Sequence, residues 1–297
     1  MRVFVAGATG AVGRPLVRML AASGHHVTAM TRSEARASAL RSGGVDAVVC
    51  DVFDPDVLRR TVLEARPDVL IHELTDIPPA LDPDPAMAEE QLAGNRRIRT
   101  EGTRILVDAA VAAGASRVVA ESIAFAYAPV GGPVKVEHDP LMDGPSADAV
   151  RALESSCLGT AGIEGAVLRY GYFYGPGSFY AEDGSATALV RRGELPIVGD
   201  DDDLTSFVHV DDAAAATLLA LECPPGIYNV VDDEPAPTRE WLPVFAEAVG
   251  APPPPRTRGD GRAEDHARGA SNAKAKRLLG WTPRYASWRD GFSTAPR

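Results

Sequence analysis

Seven residues near the amino terminus, Gly7-Ala8-Thr9-Gly10-Ala11-Val12-Gly13, carry the clearest chemical signal in the chain. They join an apolar, β-branched run, Arg2 to Ala6, to a segment from Pro15 to Ala22 that reads as helix. In that setting, free backbone amides and the helix dipole hold a diphosphate. Gly7 permits the tight turn, Gly10 lets the backbone approach the pyrophosphate, and Gly13 lets helix and strand pack closely. Thr9, Ala11 and Val12 line the same loop. The spacing is G-x-x-G-x-x-G, and its strand-to-helix context predicts a dinucleotide site.

The end of the second strand indicates which dinucleotide. An NAD site usually places an acidic residue there for the ribose 2′-hydroxyl, whereas this chain reads Met30-Thr31-Arg32-Ser33, with Arg36 one turn further on. A guanidinium grips a phosphate bidentately. The expectation is therefore NADP(H) in preference to NAD(H), with Arg32 foremost and Thr31 and Arg36 beside it. Asp51 and Val52 end the third strand, where the adenine should lie. Leu74 and Thr75 end the fourth, near the nicotinamide ribose, and Tyr170 ends the sixth.

The elements that position these residues alternate. Strands at Arg2 to Ala6, His26 to Met30, Val45 to Cys50, Asp68 to Glu73 and Arg117 to Ala120 are separated by helical stretches at Pro15 to Ala22, Ser33 to Arg41, Asp56 to Ala65 and Met87 to Ala113. The strands are apolar almost throughout instead of alternating, the pattern of a parallel sheet covered on both faces. Further on, Ala147 to Leu158 reads as helix, Ala166 to Tyr170 and Ser206 to Val210 as strands, and Asp211 to Leu221, Glu240 to Val249 and Ala273 to Leu279 as helices. These features predict an α/β fold: a Rossmann-type doubly wound parallel sheet with a small C-terminal substrate lobe. The dinucleotide domain is expected over 1–170 and 206–222, and the substrate lobe over 171–205 and 223–297. Ligands bind at the C-terminal edge of such sheets.

Composition narrows the function. The 297 residues carry a formal charge of −11, so a basic footprint for nucleic acid or anionic membrane is absent. Cys50, Cys157 and Cys223 show no paired spacing, which makes a reducing, cytoplasmic setting the default. No apolar run reaches the 18 or so residues of a membrane span, and Met1 to Gly13 reads as strand and turn instead of a signal peptide. The acidic run Asp200 to Asp203 reads as a solvated loop, so no metal is expected. The stretch Ile77 to Pro85 (IPPALDPDP) reads as a loop, a lid candidate, beside the pocket.

Five segments resemble, in order, those of the extended short-chain dehydrogenase/reductases of the NAD-dependent epimerase/dehydratase type. They are GATGAVG at the start, EGTRILVDAA (Glu101 to Ala110), LRYGYFYGPG (Leu168 to Gly177), SFVHVDDAA (Ser206 to Ala214) and LLGWTP (Leu278 to Pro283). The resemblance implies an NAD(P)-dependent oxidoreductase or epimerase, a small-molecule substrate of the sugar-nucleotide or secondary-metabolite kind, and a homodimer.

The resemblance departs from the family pattern at the chemistry. That family's catalytic helix carries Y-x-x-x-K followed by Glu, the lysine lowering the phenol pKa for proton exchange with a carbonyl. Aligning on Ala152-Leu153-Glu154 puts Ser146 at the tyrosine position and Val150 at the lysine position. None of the three lysines, Lys135, Lys274 and Lys276, has a tyrosine four residues before it. The family's active-site Asn falls at Arg99, with Asn95 nearby, and its Ser/Thr at Ile123, next to Ser122. A proton donor must then be another group: Tyr127 after the fifth strand is the first candidate, with Ser122 to bind a carbonyl and Tyr172, beside Tyr174, after the sixth strand. His72, Glu73, Glu121 and His209 end strands at the same edge. Three activities remain open: redox turnover of a small polar carbonyl or hydroxyl compound with a non-standard donor, a dinucleotide-binding sensor, or a redox-neutral isomerase or lyase.

Overall fold

The computed structural model describes residues 1–78, 80, 82, 84–198, 203–258 and 268–293. Seven strands form its central sheet: β1 (Arg2–Ala6), β2 (His26–Thr31), β3 (Asp46–Val49), β4 (Val69–His72), β5 (Arg117–Ile123), β6 (Glu164–Tyr170) and β7 (Gly226–Val230). Their order is β7-β6-β5-β4-β1-β2-β3, and β1 pairs in parallel with both β2 and β4. The chain leaves β1 toward β2 and β3, then crosses to β4 on the other side. The turn after β1 therefore sits where the strand order reverses, the crevice that binds ligands in Rossmann-type sheets. The fold is the α/β architecture expected from the strand–helix alternation.

Two compact units divide the chain. The first comprises Met1–Ser122, Gly144–Leu168 and Ala214–Tyr228, and the second Ile123–Asp143, Arg169–Ala213 and Asn229–Arg297. In the first, Phe4, Leu58, Val62, Leu70, Leu106, Val118, Leu153 and Val167 are buried in one cluster. Helix Gly13–Ala22 adds Leu16, Val17 and Leu20 to the interior, one apolar stripe at helical spacing. Helix Pro55–Ala65 starts where the Asp54 side chain accepts from Val57 N–H, with Pro55 at its first position.

The expected single helix Met87 to Ala113 is instead broken. It runs as Pro85–Gln91, Ala93–Arg97, a π-helical turn Ile98–Gly102, and Thr103–Ala112. A π-turn inserts one extra residue per turn and rotates the side chains after it, a local feature that apolar periodicity does not encode. Strand β7 was also absent from the sequence reading, although its Gly-Ile-Tyr-Asn-Val run is strand-like.

The second unit has its own aromatic core of Tyr174, Phe207, Trp241, Phe245, Trp288 and Phe292. The Val-His-Val-Asp-Asp segment anchors the carboxy-terminal stretch to it. Asp212 accepts from the backbone N–H groups of Arg284 (2.8 Å) and Tyr285 (2.9 Å), and Trp281 Nε1 donates to the Asp212 carbonyl. His209 lies 4.1 Å from the Tyr285 ring and accepts at Nδ1 from Asp211 N–H, a packing position.

Leu106 is fully buried in the first unit's core. Leu106→Ala is expected to lower the unfolding free energy by about 2–5 kcal/mol. Urea denaturation reads this directly, and an unchanged midpoint would contradict the packing described.

Candidate coenzyme and active site

The glycine turn has no room for side chains. Gly7 has φ +93°, and a Cβ there would lie 2.2 Å from the Glu73 carbonyl oxygen. A Cβ on Gly13 would lie 2.1 Å from the Gly7 carbonyl oxygen. Gly10 N–H donates to that same oxygen at 3.0 Å, closing the turn, while Gly10 itself is exposed. No side chain caps helix Gly13–Ala22 and its first turn holds no acidic residue, which leaves its amino-terminal dipole without a local counter-charge. These features fit the diphosphate of a dinucleotide.

The other coenzyme candidates of the first unit lie at neighbouring strand ends. Thr31 ends β2 and is buried, and its Oγ1 accepts from Ser33 N–H. Arg32 and Arg36 are exposed, on either side of Ser33, whose hydroxyl caps helix Glu34–Ser42. Asp51 accepts at Oδ1 from Phe53 N–H (2.9 Å), and Val52 is buried. Leu74 donates its N–H to His72 Nδ1, and Thr75 is exposed. In the stretch expected as a lid, Asp82 N–H donates to Gln91 Oε1, and just before it Asp76 N–H donates to Asn95 Oδ1. Its residues 79, 81 and 83, like 200–202 of the acidic run, lie outside the described residues.

Beneath this edge the first unit buries a charged network. Arg99, in the π-turn, pairs with Glu121 on β5 through Nε at 3.3 Å and Nη2 at 3.4 Å, both side chains being nearly inaccessible. Ser122 is buried, and its hydroxyl donates to Glu154 at 3.0 Å. His72 is also buried; its Nδ1 accepts from Leu74 N–H, which leaves Nε2 to donate to Thr103 Oγ1 at 3.0 Å. Burial pushes this imidazole down to about 4, with Glu121 opposing and Arg99 reinforcing the shift.

The positions aligned with the family's lysine and tyrosine are Val150 and Ser146. Val150 is fully buried among apolar groups of helix Pro145–Gly159, without an ammonium. The Ser146 hydroxyl lies 3.1 Å from both carboxylate oxygens of Glu89, which is itself paired to Arg96 at 2.8 Å. Glu89 was not among the residues singled out from sequence, since nothing local in Ala88-Glu89-Glu90 points to a partner 57 residues away.

In the second unit, Tyr127 is 1% exposed and its phenol donates to Asn229 Oδ1 at 2.7 Å, with the Arg169 guanidinium 4.9 Å from its ring. Burial pushes this phenol up, against the opposing pull of Arg169. Its hydroxyl is thus committed to a structural partner. Tyr170 is buried, 5.2 Å from the Phe173 ring. Tyr172 is half-buried and stacks on Phe125, with ring centroids 4.3 Å apart and planes at 15°. Phe125 was missed from sequence, although it lies between Ser122 and Tyr127.

A glycine-closed turn at the reversal point of a parallel sheet defines a dinucleotide-binding α/β protein. Residues 3–230 match the model of the NAD dependent epimerase/dehydratase family, and the chain belongs to that family, whose members are NAD(P)-dependent enzymes of the extended short-chain type. Among curated relatives, it is 45% identical to a 3-diazoavenalumate denitrifying reductase from a Streptomyces species, across 98% of this chain and 99% of that one. It is 30% identical to 2′-dehydrokanamycin reductase of Streptomyces kanamyceticus, over 85% of this chain and 68% of that one. Among solved structures, UDP-glucose 4-epimerase of Thermus thermophilus in complex with NAD superposes with a TM-score of 0.79 at 27% identity, covering 99% of this chain and 97% of that one. Among the described residues, no helix is long and apolar enough to cross a membrane.

The buried imidazole has a consequence for stability. Between its ordinary value of 6.5 and about 4, the unfolded chain binds a proton that folded His72 refuses. The stability of the neutral ring is therefore fully present above pH 6.5 and lost as pH falls through that window. Relative to His72→Asn, the native chain should lose on the order of 3 kcal/mol across it. Parallel pH dependences of the two proteins in chemical denaturation would refute the assignment.

Proposed function

We propose that this chain is an NADP(H)-dependent reductase that replaces the diazo group of a conjugated carboxylate with hydrogen and releases N2. The carrying observation is the 45% identity, over nearly the full length of both chains, to a denitrifying reductase whose named substrate is a diazo carboxylate. That no lysine in the chain has a tyrosine four residues before it supports the same reading. Reducing a carbonyl requires a hydride on carbon and a proton on oxygen, and the family's tyrosine and lysine serve the proton. In reductive loss of a diazonium group, the C–N bond breaks with its electron pair leaving on N2, and a hydride supplies the pair of the new C–H bond. The balance is R–N2+ plus hydride giving R–H plus N2, with no proton delivered to the reacting carbon. An ammonium at position 150 would also repel a cationic substrate, and that position is Val150 here.

The coenzyme, when bound, supplies the hydride. The chain's own residues bind and orient it: the backbone from Gly7 to Gly13 takes the diphosphate, Asp51 and Val52 the adenine end, and Leu74 and Thr75 the ribose near the reacting ring. Arg32 and Arg36 select the 2′-phosphate, since both are exposed and neither guanidinium has a carboxylate partner among the described residues. Ser122 and Tyr127 hold other protein groups and move no proton in this reading.

Purified protein incubated with NADPH and a diazo-substituted cinnamate should oxidise NADPH and release N2 in equal amounts. NADPH left unconsumed with the diazo compound but oxidised with ordinary ketones would overturn the proposal. Arg32→Asp should weaken NADPH binding roughly ten-fold or more relative to NADH; equal losses for the two coenzymes would remove Arg32 from the site.

A further inference from the structure

We propose that Arg14, the residue after the last glycine of the first turn, binds the 2′-phosphate of the coenzyme opposite Arg32 and is a determinant of NADP(H) over NAD(H). The inference rests on the NADP(H) reading of the coenzyme and is independent of the diazo chemistry. Arg14 lies outside the glycine pattern itself.

Its side chain is anchored on the turn. Arg14 is exposed and folds back over the loop, where Nε donates to the Thr9 carbonyl at 3.0 Å. This contact uses one N–H of the guanidinium fork and leaves both terminal nitrogens without a partner among the described residues, paired for a phosphate edge. The same arginine stands in the first turn of helix Gly13–Ala22, where the dipole disfavours a cation and no acidic neighbour offsets it. A charge kept there without a protein partner is accounted for by an anionic ligand.

Strand register sets the position of that ligand. Ala6 pairs with Met30 in the parallel β1–β2 ladder, so the turn leaves β1 beside the end of β2, about 5 Å away. Arg32 follows Met30 by two residues as Ala8 follows Ala6, so the Thr9 anchor of Arg14 and the backbone of Arg32 leave neighbouring strand ends. A ribose held at these two ends presents its 2′-oxygen there. A phosphate monoester carries about two negative charges at neutral pH, more than one guanidinium balances. Arg32 and Arg36 both stand on the β2 side, whereas Arg14 is tethered on the β1 side, and the phosphate is held between them. The 2′-hydroxyl of NAD(H) offers no charge to either.

Calorimetric titration with adenosine 2′,5′-bisphosphate and adenosine 5′-monophosphate tests this without turnover. The native protein should favour the bisphosphate. Arg14→Gln should weaken that ligand and NADPH roughly ten-fold or more, while leaving the monophosphate and NADH unchanged. Its thermal midpoint without coenzyme should not fall, because the lost charge opposes the helix dipole. Equal losses for NADPH and NADH would move Arg14 to the diphosphate. A preference for the bisphosphate that survives Arg14→Gln but not Arg32→Asp would make Arg14 a support of the loop. Either result overturns this assignment and leaves the NADP(H) reading standing, whereas a native protein that binds both nucleotides alike overturns the two together.

Discussion

Backbone proximity in the first turn is the constraint from which the coenzyme edge is built. With no space for a Cβ at Gly7 or Gly13, β1 ends against the Glu73 carbonyl and the following helix begins within contact of the turn. That fixes the helix amino terminus beside the strand-order reversal, where its uncapped dipole suits an anion. Any side chain larger than hydrogen at either glycine would push helix and strand apart and leave the diphosphate without its cradle.

A second constraint is electrostatic and concerns the buried charges under the same edge. Arg99 spends its charge on Glu121, Glu89 is shared between Arg96 and Ser146, and Val150 offers none. The buried Arg99–Glu121 pair compensates its own charge, as burial requires, whereas the Glu89–Arg96 pair is only part-buried. Val150 offers no ammonium to lower a phenol's pKa, in keeping with the proposed reaction, which needs hydride delivery alone. In the proposed reaction the leaving group departs neutral, so no substrate oxygen has to be protonated.

Much of this was legible in the chain itself, because local signals carry it. Apolar strand runs, the glycine turn and Asp54-Pro55 each act over a few residues, and the structure forms the corresponding elements there. The missing Tyr-Lys pair could be read directly, since no lysine has the required spacing. What sequence did not yield depends on pairs distant along the chain: Ser146 with Glu89, Tyr127 with Asn229, and Phe125 with Tyr172. From sequence, Tyr127 reads as the first candidate donor and Tyr172 as a further one. Only their surroundings separate them, one hydroxyl bonded to Asn229 and the other without a partner among the described residues. The π-turn that carries Arg99 toward Glu121 has the same origin, for its register answers to β5 and not to its own composition.

The central claim is that reduction proceeds by hydride transfer with no proton moving at the reacting atom. Isotope effects on a single turnover of a diazo substrate address it most directly. Deuterium at the transferable position of the coenzyme should slow the reaction, while replacing water by D2O should leave the rate unchanged. A rate that falls in D2O would show a proton in flight and contradict the account.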